Sequence, residues 1–507
     1  MALLTQRYDK QIRGQIACFD RVIMTGILPD ICHSKAITSR LFAAGIRVFD
    51  YSTQYAAPLR EEVRDNASEI AKQEGLEIEF VRSSGDFRKE ERIAKILKTR
   101  GSNPGLVHIF SAMEGCAAFE PWHDKKTGQT FLRYTDGKCL HYYFYFIDPE
   151  FGLCYLRVPT WAPFRLQFYC NGHNWLALQL QKEAIGFTQA DNTFHQIADF
   201  ERAQALADEF MPERLHRVMD RAAKRFCPVV AHFPSGYHWS IMQAEFATDI
   251  VFNRQDVLGP LYEAISRTAV HAVRADNVAT FLGRKLHPAY QDEVGNDFHT
   301  RIEGTRIKHH MGPVSIKMYD KHQLVLRIET TVNDVTFFKH HRKVEHRNGP
   351  SEIQLAPMRK TIYSLPALRE LLVAANRRYL EFISELVDPS AGVSAVERVA
   401  EPVRKNDHTY RGFNLFAKSD IALFEAVARG EFLISGFRNA WLRKFLPTLT
   451  TAQVSLLIKR MRLHGLARKI AKTRKYYLTR LGRSTVLAAL KLKELVVIPA
   501  LAETCPA

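Results

Sequence analysis

The sequence predicts an α/β (α+β) multidomain fold: mixed-sheet N-terminal and central domains, a β-rich aromatic segment between them, and a C-terminal winged-helix unit. Three observations predict it. Short runs of apolar, β-branched residues alternate with segments of helical periodicity over residues 1–120 and again over 228–390. Twelve aromatic residues fall between His141 and Trp175, about three times the chain average of 11%. Residues 438–493 hold 15 Lys and Arg and neither Asp nor Glu.

In the first block, residues 17–26 ("ACFDRVIMTG"), 76–81 ("LEIEFV") and 105–114 ("GLVHIFSAME") read as strands, and residues 34–46 and 56–73 as helices. The aromatic block, 121–227, reads as a β-meander ("LHYYFYFID", "LCYLRVP", "RLQFYCNGH") followed by helix over 174–227. In the third block, 228–390, the strands are 237–252, 314–320 and 323–334, and residues 364–386 form a long helix. Residues 391–418, with Gly392, Pro402 and Gly412, read as a linker. The last block, 419–507, orders three helices (419–429, 438–446, 451–464) before a basic strand–turn–strand, which is the winged-helix order.

Composition narrows function. Of 507 residues, 46% are hydrophobic and 25% charged, an ordinary globular balance. The 71 Lys and Arg exceed the 54 Asp and Glu by 17, so a polyanionic partner is expected. Eight cysteines lie without a C-x-x-C pair, which argues against a zinc ribbon and for free thiols in a reducing cytoplasm. No apolar run approaches the roughly 20 residues that span a bilayer, and no membrane partner is expected. P-loop, G-x-G-x-x-G, G-x-S-x-G and H-E-x-x-H motifs are absent, so NTPase, Rossmann, α/β-hydrolase and zincin readings lack support.

Two regions carry candidate chemistry. In helix 451–464, Val454, Leu457, Ile458 and Met461 recur at helical spacing and would bury one stripe. Gln453, Ser455, Lys459, Arg460 and Arg462 lie off that stripe, where a recognition helix meets phosphates and bases. Arg438 precedes them, and Lys469, Lys472, Arg474 and Lys475 sit on the wing. Double-stranded DNA is the expected partner, structured RNA a second, and a homodimer would suit a two-fold site.

The other region is the hairpin 314–334. Strand parity places Lys317 and Tyr319 on one face of its first strand and Arg327 and Glu329 on one face of its second. Glu245 and Asp249, four apart, share a face of another strand, so Glu245, Asp249 and Glu329 become candidate ligands for Mg2+ or Mn2+. Tyr319, Asp320, Glu329, Glu245 and Asp249 are the candidate catalytic set. Asp20, Glu114 and Asp148 offer a further reading, since acids at the ends of neighbouring strands hold metal ions in RNase H-like nucleases. The aromatic block with Arg157, Arg165 and Asn171-Gly172-His173 offers stacking for unpaired bases, against the commoner role of such stripes as core.

Several stretches resemble known families. "VARGEFLISGFRNAWLRK", "VSLLIKRMRLHGLARKIAKTRKYYLTRLGR", "FDRVIMTG", "HIFSAMEGC" and "FYCNGHNWL" resemble a group of bacterial proteins of about this length labelled MarR-like or winged-helix proteins. The resemblance covers essentially the whole chain and implies a DNA-binding C-terminus; it implies no chemistry for the rest. "IKMYDK…LVLRIETTVN" is similar, over about 20 residues, to rolling-circle replication initiators, and implies a strand-nicking role for Tyr319, Asp320 and Glu329. The initiators' His-hydrophobic-His metal motif is absent. The resulting expectation is DNA processing in a mobile or replicative element, by metal-dependent cleavage or strand transfer. A non-enzymatic regulator with a large sensor domain, and an RNA-binding ribonucleoprotein component, stand beside it.

Overall fold

The computed structural model of the chain is mixed α/β. It describes residues 3–82, 87–286, 294–301, 304–345, 349–386, 398–414, 416–429, 431–432, 436–471 and 473–493. The chain forms two compact units: Asp9–Leu258 with Gly312–Arg377, and Met1–Tyr8 with Gly259–Met311 and Arg378–Ala507.

The strands, in chain order, are β1 (Ile12–Ile27), β2 (Ile78–Phe80), β3 (Gly105–His123), β4 (Thr130–Asp148), β5 (Gly152–Pro159), β6 (Leu166–Cys170), β7 (Phe187–Ala190), β8 (Thr193–Ile197), β9 (His238–Phe252), β10 (Val294–Arg301), β11 (Gly304–Met311), β12 (Val314–Lys321) and β13 (Val325–Val332). In the first unit, nine of them share a sheet in the order β12-β13-β9-β1-β6-β5-β4-β3-β2. All neighbours are antiparallel except β2 and β3.

This sheet redraws the expected boundaries at 120 and 227. β1 from the first block hydrogen-bonds to β6 from the aromatic block on one side and to β9 from the central block on the other. Three sequence blocks thus close one sheet, because a strand flanked on both edges leaves no unpaired backbone donors. The predicted helix over 174–227 is also corrected. Helix Gly172–Lys182 stops, β7 and β8 form a hairpin, and helices Phe200–Asp208 and Pro212–Phe226 follow.

Parity divides the aromatic block. Phe144, Phe146 and Phe168 point to the back of the sheet, where Phe226 stacks on Phe144 at 4.4 Å between ring centroids. Tyr143 and Tyr145 point to the front and are buried with Ile93 of helix Lys89–Arg100. Both faces therefore act largely as core, and the aromatic rings that remain half-buried on the front are Tyr155 and Tyr169, stacked on each other at 5.0 Å.

In the second unit, β10 pairs with β11 as a hairpin that the sequence pattern did not reveal. Residues 399–489 bury their own hydrophobic core, including Phe424, Val454, Ile458, Met461 and Val486. Helices Lys418–Val427, Asn439–Leu442 and Thr451–Leu463 precede strands Ala467–Lys469 and Tyr476–Leu478 and a further helix, Arg480–Lys491. Phe437 bridges Tyr476, adding a third short strand position. Of the expected linker, residues 398–414 and 416–418 are described, and they include the hairpin Val403–Lys405/His408–Tyr410.

A candidate metal centre on the polar face of the sheet

The front of β12, β13, β9 and β1 carries a dense cluster of charged side chains. Cross-strand register sets Lys317 opposite Glu329, Tyr319 opposite Arg327, Arg327 opposite Asp249, and Thr331 opposite Glu245. The β12–β13 connection is tight: Leu324 N–H donates to the Lys321 carbonyl at 3.1 Å, and His322 and Gln323 between them both adopt positive φ (56° and 57°). Register is thereby fixed, and with it the meeting of Lys317, Tyr319, Arg327 and Glu329 on one face.

Asp20 joins them through an irregularity. On β1, Phe19 pairs with Phe246 and Arg21 with Glu245, so Asp20 is the extra residue of a β-bulge. Bulges re-aim side chains. Here the bulge turns Asp20 toward the carboxylates of the neighbouring strands. One carboxylate oxygen from each of Asp20, Glu245 and Glu329 lies within 4.8 Å of the others, an arrangement that could hold a metal ion.

The segment Asn171-Gly172-His173 backs this cluster. Asn171 caps helix Gly172–Lys182, accepting from the His173 amide at 2.8 Å, and its Nδ2 lies 3.3 Å from Asp20 Oδ1. A Cβ on Gly172 would stand 2.2 Å from the Phe19 carbonyl oxygen, so only glycine permits this approach to β1. The approach brings His173 Nδ1 within 3.1 Å of Asp20 Oδ1. Arg327 Nη2 lies 3.0 Å from His173 Nε2. His173 Nε2 also lies 3.7 Å from Asp249 Oδ2, so the ring stands between the two aspartates.

Two halves result. In the closed half, Arg327 is fully buried and donates through Nε and Nη2 to Asp249, both at 2.6 Å. The β7–β8 turn seals it, accepting from Arg327 at Asn192 O and Thr193 Oγ1. Burial alone would raise the Asp249 pKa, but Arg327 holds it at about 2. Asp20, opposed by burial in the same way, is held well below the ordinary carboxylate range by Arg327 and His173.

In the open half, Glu245 and Lys317 are 14% and 16% exposed, and Arg21 is 48% exposed. Lys317 Nζ lies 2.7 Å from Glu329 Oε1 and 3.6 Å from Glu245 Oε1. Tyr319 donates its hydroxyl to Glu329 Oε2 at 2.6 Å. Burial and then the neighbouring Glu329 carboxylate raise the pKa of Glu245 above the usual glutamate range. The Tyr319 hydroxyl is pushed well above its ordinary value by burial and by Glu329.

The expected site is thus rearranged. Glu245, Glu329 and Tyr319 come together. Asp249 lies on the same face but is committed to Arg327, and Asp320 faces the opposite side because it alternates with Tyr319. Asp20 takes the place expected of Asp249. Glu114 and Asp148 do not join Asp20. Glu114 accepts from Tyr143, Arg157 and Lys89, and Asp148 accepts from the amides of Glu150 and Phe151 in its turn. The β7–β8 lid was missed, although Asp191-Asn192 between "FTQA" and "TFHQI" is a hairpin signal.

In the C-terminal helices, Arg460 is not at the surface. It is 5% exposed and donates to both carboxylate oxygens of Asp420 at 2.8 and 2.9 Å and to the Gly412 and Arg411 carbonyls. Asp420 lies inside helix Lys418–Val427, whose N-cap is Ala417. Gln453 and Thr450 form a capping box at the start of helix Thr451–Leu463, and Ser455 accepts from Asn439. Lys459, Arg462, Lys469, Arg474 and Arg438 are exposed. Lys405, Lys459, Arg462, Arg468 and Lys469 line a shallow groove. Arg438 and Lys475 both approach the Trp441 ring, at 5.0 and 5.8 Å. Lys472 lies outside the described residues.

No protein-family model matches the chain, no curated protein matches it, and no solved structure matches it. Among the described residues, no helix is long and apolar enough to cross a membrane.

Proposed function

We propose that the chain processes nucleic acid, cleaving or transferring a phosphodiester with Mg2+ or Mn2+ held by Asp20, Glu245 and Glu329. The observation that carries this reading is the convergence of three carboxylates from adjacent strands β1, β9 and β13. Hard divalent cations take oxygen ligands of this kind and polarise a phosphate for attack. Lys317, 2.7 Å from Glu329 and 3.6 Å from Glu245, would offer its ammonium to a phosphate oxygen beside a cation held by these carboxylates. Tyr319 is the candidate nucleophile for strand transfer: its hydroxyl, 2.6 Å from Glu329 Oε2, would give its proton to that carboxylate as its oxygen bonds to phosphorus and one bridging sugar oxygen leaves, while for hydrolysis a bound cation would supply the activation of water.

The C-terminal helices and hairpin are proposed to act as a winged helix on double-stranded DNA. Their element order and the exposed bases around helix Thr451–Leu463 support this.

The test is incubation of labelled single- and double-stranded DNA, and of structured RNA, with the full chain and Mg2+ or Mn2+. Cutting should be lost in Glu329→Gln and Asp20→Asn. A product covalently attached to protein and abolished by Tyr319→Phe would identify strand transfer, whereas hydrolysis tolerates that change. Tight binding without cutting under either metal would remove the catalytic reading and leave a regulator or an RNA-binding component.

A further inference from the structure

Strands Lys339–Val344 and Glu352–Pro357 pair antiparallel as a two-stranded ribbon outside the main sheet. Register sorts its side chains. Lys339 pairs with Pro357, His341 with Leu355 and Lys343 with Ile353, so these six share one face. All six are exposed, with Ile353 at 77% and Leu355 at 58%. The opposite face is mixed: Ala356 is buried, His340, Arg342 and Val344 are half-buried, Glu352 and Gln354 are exposed, and Arg342 donates to the Pro357 carbonyl. Glu352, the sole acid in the two strands, pairs with Val344 on that other face.

An outward face of two lysines, a histidine and three apolar residues is costly to leave in water and prone to edge association. Its chemistry selects a partner. Between Lys339 and Lys343 the face carries no acid, and the exposed Glu345 lies two residues beyond Lys343, so the face is net basic and asks for a polyanion. The apolar side chains between the two lysines ask for a surface that is dry at its floor and charged at its rims, and a duplex groove has that form. The four-residue step from Lys339 to Lys343 spans about 13 Å of strand, and a ribbon lying along the major groove, about 12 Å wide, sets both ammoniums beside its phosphates. Two-stranded ribbons fit that groove.

We propose that this ribbon face binds duplex nucleic acid in a groove, with Lys339 and Lys343 on the phosphates and Ile353 and Leu355 against sugars and base edges. The proposal shares with the proposed function only the premise that the partner is nucleic acid; it needs neither the carboxylate cluster nor the C-terminal helices.

The test uses the full chain and a labelled 30-base-pair duplex. In the Lys339→Ala/Lys343→Ala variant, the slope of log affinity against log salt should fall in magnitude by about 2, since each phosphate contact contributes about 0.9. A photo-crosslinking residue introduced as Leu355→p-benzoylphenylalanine should capture the duplex, and Ile353→Ser/Leu355→Ser should weaken binding while leaving the salt slope unchanged. All four positions are exposed, so unchanged circular dichroism is expected. Wild-type binding with an unaltered slope and no crosslink at position 355 overturns the ribbon and leaves the nucleic-acid reading standing. No wild-type binding to any duplex overturns both. Sedimentation with phosphatidylserine vesicles that is lost in the lysine variant, with no duplex crosslink, makes the face a membrane contact instead.

Discussion

Each compact unit buries one arginine against aspartate, and the two pairs behave differently. Arg460 is closed off: Asp420 takes two of its donors, the Arg411 and Gly412 carbonyls take two more, and the nearest charges on its helix, Lys459 and Arg462, point to solvent. Arg327 is shared: Asp249 takes two donors, while Asp20, His173 and the β7–β8 turn converge on the same guanidinium. One pair ends a network and the other begins one that runs through Asp20 to the half-exposed Glu245. A basic residue in a basic run can therefore be purely architectural, and a buried ion pair can be the back wall of a site.

The largest expected effect separates the pairs directly. Arg327→Met leaves Asp249 and Asp20 buried without their cation and should destabilise by about 3–5 kcal/mol, with Arg460→Met nearer the lower end of that range. Urea unfolding of the single and double variants sharpens the contrast. Arg460→Met/Asp420→Leu should recover most of the loss, because pair and partner go together. Arg327→Met/Asp249→Leu should not, because Asp20 remains. Equal recovery in both would break the distinction.

Tyr319→Phe removes a hydrogen bond to the Glu329 carboxylate but leaves Lys317 in place. A cost of about 1.5–3 kcal/mol follows from such charge-assisted bonds. A negligible change would mean that Lys317 alone satisfies Glu329.

Acid titration tests the depressed aspartates. The folded pKa of Asp249 is about 2, below its ordinary 3.8. Its contribution is therefore complete above pH 3.8 and lost as pH falls toward 2; it amounts to about 2 kcal/mol. Glu245 shifts the other way, so Mn2+ affinity should decline on acidification before pH reaches the usual glutamate range. Metal binding unchanged down to pH 4 would remove Glu245 from the ligand set.

The smallest stability effect is expected at the exposed bases. Lys459→Ala and Arg462→Ala should stay within about 0.5 kcal/mol of wild type, yet each should lower the DNA salt slope by about 0.9. A stability loss like that of Arg460→Met would show that the exposed and buried charges of this helix are not distinct.

Much of the polar face was legible before the fold. Strand parity places Lys317, Tyr319, Arg327 and Glu329 together, because side chains alternate with a period of two whatever lies around them. Helical periodicity likewise gives Val454, Ile458 and Met461 as the buried stripe. Asp249 failed as a ligand for a reason no local pattern carries: its register partner across β13 is Arg327. Arg460 failed as a DNA contact because its partner, Asp420, lies 40 residues away.

By itself, the sequence determined the alternation of strands and helices, the basic C-terminal stretch and the faces within each strand, since these are properties of neighbouring residues. Only the tertiary structure decided that three sequence blocks share one sheet, that a bulge turns Asp20 into the carboxylate cluster, and which arginines are buried. Those outcomes depend on which strand edges meet and on the desolvation of each charge, which are set by residues distant along the chain.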